Sequence, residues 1–239
     1  MAMKVKPRIW VLASGDATGG GSGFQEMVEY TKTEPAILHA EIVGVTSNHP
    51  SGGVFKRARA LGMGGIFHYW PGPFTAAGYR ERFEASGAEW IMCSGWLYPV
   101  SGLNPARTVN IHPGPLPRFG GKGMWGHHVH EAVMAAYHRG ELQQSAVTMH
   151  FVFDYEEQKK RGVADPYDKD PIICQFPVLI RLDDTPETLA KRVNEVERVM
   201  QSRVLDLLVN GHVWLDDGGG VQYDLLAGMT LSAMGGMPR

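Results

Sequence analysis

Short apolar runs and longer amphipathic stretches take turns along the first 134 residues, and this alternation predicts strands and helices in succession. Residues 9–13 are apolar throughout and read as a buried parallel strand, ended by Ser14 and Gly15. Phe24, Met27, Val28 and Thr31 then fall at helical spacing. Further strands are predicted over 41–47, 65–69 and 90–96, separated by helices over about 54–61 and 76–86. Residues 108–111 form another strand pattern, followed by Val129, Val133 and Ala136 at helical spacing. Residues 145–152 alternate and are β-branched, and 172–181 gives a further strand. The longest helix shows its apolar stripe in Leu189, Val193, Val196, Met200, Val204 and Leu207. Thr185 is its expected N-cap, Pro186 its first residue and Gly211 its stop.

This order of elements predicts one α/β domain over 1–217, with a mostly parallel twisted sheet, helices on both faces and a strand-rich second half. Residues 218–239, rich in glycine and methionine, are expected to be a partly disordered tail.

Composition adds mainly exclusions. The chain has 239 residues, 44% of them hydrophobic and 20% charged, as in ordinary globular proteins. A net charge of −2 gives no general pull toward nucleic acid or anionic membrane. The basic residues at 56, 57 and 59 read as a solvated helix face, because no stacking aromatics interleave with them. Both cysteines, Cys93 and Cys174, lie in apolar strand-like runs and read as buried thiols. No apolar run approaches the roughly 20 residues of a membrane span, and the start of the chain lacks a signal-peptide pattern, so a cytoplasmic protein is expected.

Two stretches carry candidate chemistry. The first is the glycine loop 16–23, set between a strand and a helix, where free amides and the helix dipole favour an anion. It has neither the Walker pattern nor a dinucleotide fingerprint in register, and a plain flexible linker is the competing view. The second is 107–129. Asn110 and His112 stand two residues apart on one face of a strand, at its carboxyl end, before Pro113, Pro115 and Pro117 force the chain out of the sheet. An amide donor beside an imidazole suits acyl transfer, where both can meet an oxyanion. The plain alternative is a histidine that only caps a proline-rich turn. His127, His128, His130 and His138 follow, but no two of the first three are four residues apart, and no metal site is expected.

Taken together, Asn110-Ile-His112-Pro113, Leu116-Pro117-Arg118-Phe119 and Gly121 closely resemble the signature of the folate-dependent formyltransferases. The likeness extends from about residue 8 to 215 and is nearest to the branch that formylates glycinamide ribonucleotide. Gly-Lys-Gly-Met-Trp-Gly at 121–126 resembles a sub-branch with an aromatic at the position of Trp125. The resemblance implies a Rossmann-like fold and transfer of a formyl group from 10-formyltetrahydrofolate, with no metal, to a phosphorylated amine. It leaves a homodimer open.

Residue by residue, the resemblance implies Asn110, His112 and Asp168 as catalytic, with Asp165 and Asp170 as competitors for the carboxylate. Gly21, Ser22 and Gly23 match the substrate-phosphate loop, with Gly23 where the family has asparagine. Glu197 matches a glutamate on the acceptor's ribose. Trp96, Leu97, Tyr98 and Val100 match the folate-lining loop, Tyr98 replacing an arginine. Residues 158–166 lengthen the chain just before the aspartate and are expected to be a mobile lid or an oligomer contact. Neither of the extra domains of two sister branches, a basic C-terminal one and an N-terminal one, is apparent in the sequence. The same chemistry on another amine, such as an amino sugar nucleotide, stays open, as does folate binding without transfer.

Overall fold

The computed structural model describes residues 5–238. Its elements begin with β1 (Arg8–Leu12), α1 (Ser22–Tyr30), β2 (Glu41–Ser47), α2 (Gly53–Ala60), β3 (Phe67–Tyr69), α3 (Ala76–Ser86), β4 (Trp90–Ser94) and β5 (Thr108–His112). They continue with α4 (His127–His138), β6 (Gln144–Phe151), α5 (Tyr155–Lys160), β7 (Ile172–Leu179) and α6 (Pro186–Val209). A small hairpin, β8 (Val213–Leu215) and β9 (Val221–Tyr223), then leads to α7 (Leu225–Ala233) and β10 (Met237–Pro238).

One eight-stranded sheet runs in the order β10-β7-β6-β5-β4-β1-β2-β3. The pairs among β3, β2, β1, β4 and β5 are parallel, whereas β6, β7 and β10 are added antiparallel. Side chains alternate across it, so each strand feeds two cores. Ile9, Val11 and Ala13 face a large core closed by α1, α2, α4 and α6, while Trp10 and Leu12 face a smaller aromatic one under α3. Helices therefore cover both faces, as the alternating pattern predicts.

The strand order reverses between β1 and β4. Chain leaving β1 turns toward β2, chain leaving β4 turns toward β5, and the two loops part to open a crevice at the strands' carboxyl ends. The long helix α6 packs on α1 and α4 and borders that crevice. Thr185 caps it in a reciprocal pair with Thr188, Pro186 is its first residue, and Gly211 follows its end at φ 83°.

One stretch differs from expectation. The tail is folded: Tyr223 of β9 hydrogen-bonds the Ile173 carbonyl, β10 pairs with β7, and Ala227 and Leu231 of α7 are fully buried in the large core. Glycine and methionine content masked this, because α7 is short and apolar nearly all round. The added segment before the aspartate begins within a helix, α5, whose cap is Asp154. No helix among the described residues is long and apolar enough to cross a membrane.

Candidate active site

The crevice holds three adjoining cavities. The first, of about 140 Å³, sits over the glycine loop and the start of α1. Asp16 fastens the loop by accepting the backbone N–H groups of Thr18 (2.7 Å) and Gly19 (2.6 Å). Gly20 and Gly21 take φ of 95° and 80°, and a Cβ on Gly20 would sit 2.5 Å from the Ser14 carbonyl oxygen. Only glycine fits that turn. Arg198 and Gln201 of α6 line the same cavity, as do Gly21, Ser22, Gly23 and Glu197. Gln201 is 1% exposed and accepts a hydrogen bond from Ser94 Oγ at 2.9 Å. A Cβ on Gly23 would lie 2.2 Å from Ser94 Oγ and 2.5 Å from Gln201 Nε2, so this hydrogen-bonded pair fills the space an asparagine at 23 would need.

The second cavity is central, about 440 Å³, and shares Asn194 and Glu197 with the first. Asn110, His112 and Asp168 all line it. The proline-rich loop that follows His112 is pinned to the sheet: Thr148 Oγ1 donates to the Gly114 carbonyl (2.7 Å) and Gln175 Nε2 to that of Leu116 (2.9 Å). His112 Nε2 lies 2.8 Å from the Phe119 carbonyl oxygen and therefore carries the hydrogen, which turns Nδ1 toward Asp168 Oδ2 at 3.6 Å. On its other side, Asp168 Oδ1 is 3.5 Å from Nε2 of His150. The same His150 nitrogen is 3.0 Å from the Asn110 amide, while His150 Nδ1 donates to its neighbour's carbonyl.

Asp168 thus stands between two buried imidazoles. Burial works against its charge, yet the hydrogen bond from His150, the two imidazoles and the Gly121 N–H hold its carboxyl down at about 2. His112 is shifted down, because burial outweighs the nearby carboxylate. His150 is shifted up, the aspartate outweighing burial. Asp168 is also the one non-glycine residue with positive φ (53°) among those described, a conformation that concentrates at functional sites. Of its competitors, Asp165 accepts the backbone N–H of Lys122 at 2.8 Å and shapes the loop, and Asp170 faces away into the third cavity.

His150 does not stand out in the sequence. It lies within a β-branched run, and only the antiparallel register, which sets it opposite Asn110, reveals it.

The third cavity is aromatic, lined by Trp96, Tyr98, Tyr155 and Tyr167, and it shares Asn110 and Asp168 with the central one. Val100 lines it too, whereas Leu97 faces the central cavity and is 47% exposed. Tyr98 stacks on Phe74, and its hydroxyl accepts from Asn48 Nδ2 at 3.2 Å; Asn48 Oδ1 in turn accepts from Gly15 N. The tyrosine therefore ties the aromatic wall to the glycine loop. Burial pushes Glu197 up to about 7 despite a hydrogen bond from Asn194. His127 and His128 pair with Glu131, and His130 is buried beside the central cavity, where burial brings it down to about 4. Among the described residues no cluster of histidine, cysteine and acidic side chains is arranged to hold a metal.

The cavities form one groove: a glycine-loop pocket, a central cavity with an ionised aspartate and an amide, and an aromatic slot. Residues 8–205 match the formyl transferase family. The chain belongs to that family. It is 31% identical over 215 residues to the chloroplastic phosphoribosylglycinamide formyltransferase of Vigna unguiculata, covering 84% of this chain and 62% of that protein. Against its counterpart in Arabidopsis thaliana the identity is 29% over 211 residues, covering 84% and 66%. This chain thus spans less than two thirds of the length of either relative. Among solved structures, the phosphoribosylglycinamide formyltransferase of Coxiella burnetii superposes with a TM-score of 0.72 at 26% identity, covering 92% of this chain and 94% of that one. The mostly parallel α/β fold described above is the one they share.

Proposed function

We propose that the chain transfers the formyl group of 10-formyltetrahydrofolate to the primary amine of glycinamide ribonucleotide, a step of purine synthesis. The observation that carries this reading is Asp168, held between His112 and His150 where the central and aromatic cavities meet. The folate supplies an activated formyl carbon, and the acceptor's amine is the nucleophile. Asn110 donates to the oxyanion that develops on the formyl oxygen, and His112, neutral in the free protein, becomes a second donor when its Nδ1, beside Asp168, takes up a proton during the reaction. The amine loses one proton as the new C–N bond forms, and the departing folate nitrogen gains one. Asp168 takes the first, through water, or stabilises the imidazolium that forms when His112 Nδ1 takes it.

The acceptor's phosphate lies on the amides of Gly21, Ser22 and Gly23 at the start of α1, with Arg198 and Gln201 beside it. Glu197, at the join of two cavities, meets the ribose hydroxyls. Trp96, Leu97, Tyr98 and Val100 flank the folate. A cytoplasmic setting goes with this reading, and a sedimentation run tests for a homodimer.

The test is direct assay of the purified protein with 10-formyltetrahydrofolate, following release of tetrahydrofolate, with glycinamide ribonucleotide and amino sugar nucleotides as separate acceptors. Turnover is expected with the ribotide. Removing one oxyanion donor, Asn110→Ala or His112→Ala, should lower kcat by about 10²–10³. Asp168→Asn should lower it comparably while Asp165→Asn retains most activity. Full activity in Asp168→Asn would overturn the assignment, and turnover only with an amino sugar nucleotide would replace the acceptor.

A further inference from the structure

The helix α5 carries the start of the stretch, 158–166, that lengthens this chain relative to its family pattern, and residues 154–156 at its beginning fasten it to the loop after β4. Asp154 Oδ2 accepts the Gly102 N–H at 2.6 Å, Tyr155 N donates to the Val100 carbonyl at 3.0 Å, and Glu156 N donates to Ser101 Oγ at 3.1 Å. Held this way, α5 turns Tyr155 and Gln158 into a wall of the aromatic cavity, with the rings of Tyr155 and Tyr167 5.1 Å apart. The segment is therefore built into the groove.

Gln158 is the polar group in that wall. Its Nε2 donates to Asp170 Oδ1 at 2.9 Å, and Asp170 is only 8% exposed. This bond uses one amide hydrogen and fixes the side chain. The second N–H and Oε1 have no protein partner among the described residues. A fixed donor beside an acceptor, in a slot walled by flat aromatic rings, complements a planar heterocycle with ring nitrogens and amino hydrogens on its edge. An apolar benzoyl group has no use for that pair, and an anionic glutamate tail is repelled by Asp170. The cavity also opens onto Asn110 and Asp168, so a ring held here directs the rest of its molecule to the reaction centre.

We propose that Gln158, oriented by Asp170, is a specificity-determining residue that hydrogen-bonds the nitrogen-bearing edge of the donor's pterin ring. This rests on the formyl-donor reading above. The contact comes from the added segment, and it makes donor choice separable from formyl chemistry.

The test compares binding of two ligands by calorimetry: 10-formyltetrahydrofolate and an analogue with a plain naphthalene in place of the pterin. Gln158→Leu should weaken the pterin ligand by about five- to tenfold, the worth of one to two hydrogen bonds. The naphthalene analogue should bind the variant as well as the wild type. Gln158→Glu, which keeps the size but loses the N–H pair, should show the same selective loss, and this second variant guards against a folding defect in the first. The KM for the acceptor should stay as in the wild type. Glu157→Ala, on the exposed side of α5, should change neither ligand.

Equal losses for both ligands, or no loss for the pterin, would overturn the proposal. A wild type that binds 10-formyltetrahydrofolate without transferring its formyl group would sink the transferase reading alone, since the binding comparison stands without turnover. A wild type that transfers normally, with pterin binding unchanged in Gln158→Leu, would sink this proposal alone.

Discussion

At the scale of single residues, the groove keeps unlike carboxyl groups in unlike states. Asp168 is held down near 2 by its imidazole neighbours, whereas burial lifts Glu197 to about 7. The folded protein therefore binds a proton at Glu197 between the ordinary 4.5 and about 7, where the unfolded chain does not. Its contribution to the stability of the ligand-free protein is complete below about 4.5 and is lost as pH rises through 7. Glu197→Gln should match the wild type in thermal unfolding at about pH 4.5 and exceed it at about pH 8, while its affinity for the ribonucleotide falls. Parallel pH profiles for the two proteins would show that Glu197 is solvated in the folded state. Asn110 and His112 are legible in the sequence because proline ends their strand at once, which marks a strand terminus carrying polar groups. His150 is not legible: near the end of an otherwise ordinary buried strand, it looks like any core histidine until its cross-strand partner is known. Gln201 is hidden for a similar reason, since its meaning depends on the missing Cβ of Gly23, more than 170 residues away in the chain.

Among the elements, α5 shows how a short helix is written without hydrophobic periodicity. Its cap Asp154 accepts the Glu157 N–H at 2.9 Å, acidic residues stand in its first turn, Lys159 and Lys160 in its last, and Gly162 follows at φ 86°. That order satisfies the free amides and the helix dipole, and it is readable in principle. With only six residues and no apolar stripe, the helix gives no periodic signal, and the added polar length over 158–166 reads in sequence as a mobile lid or an oligomer contact. Asp154→Ala removes both the cap and the bond to Gly102, at a cost of about 1–2 kcal/mol to the local structure. Amide exchange over residues 155–163 should then rise strongly in the variant, with little change in the strands. Unchanged exchange would mean that Tyr155 and Glu156 alone hold the helix to the loop after β4.

For the whole molecule, the parallel half of the sheet is well marked in sequence, because strands buried on both faces are continuous apolar runs with helical patterns between them. The order of the strands and the fate of the last 22 residues are not. Pairing of β10 with β7 depends on a turn of the chain that no local pattern announces, and α7 lacks the polar face that would mark a surface helix. Yet α7 completes the large core, with Leu231 fully buried and Tyr223 just before it bonded to the Ile173 carbonyl of β7. The far end of the sheet, on which β6 and its His150 depend, is thus steadied by residues outside the matched family region, 8–205. Leu231→Ala should cost about 2–4 kcal/mol, because a buried leucine leaves a cavity that its neighbours fill only in part. In a chain of this size that corresponds to a fall in Tm of roughly 5–10 °C. The glycine loop, Asn110 and Asp168 lie in the crevice, well removed in the chain from α7, so kcat at 25 °C should stay within about twofold of the wild type while kinetic lifetime on heating shortens. A loosely attached tail would instead show no change in Tm, and that outcome would remove α7 from the core.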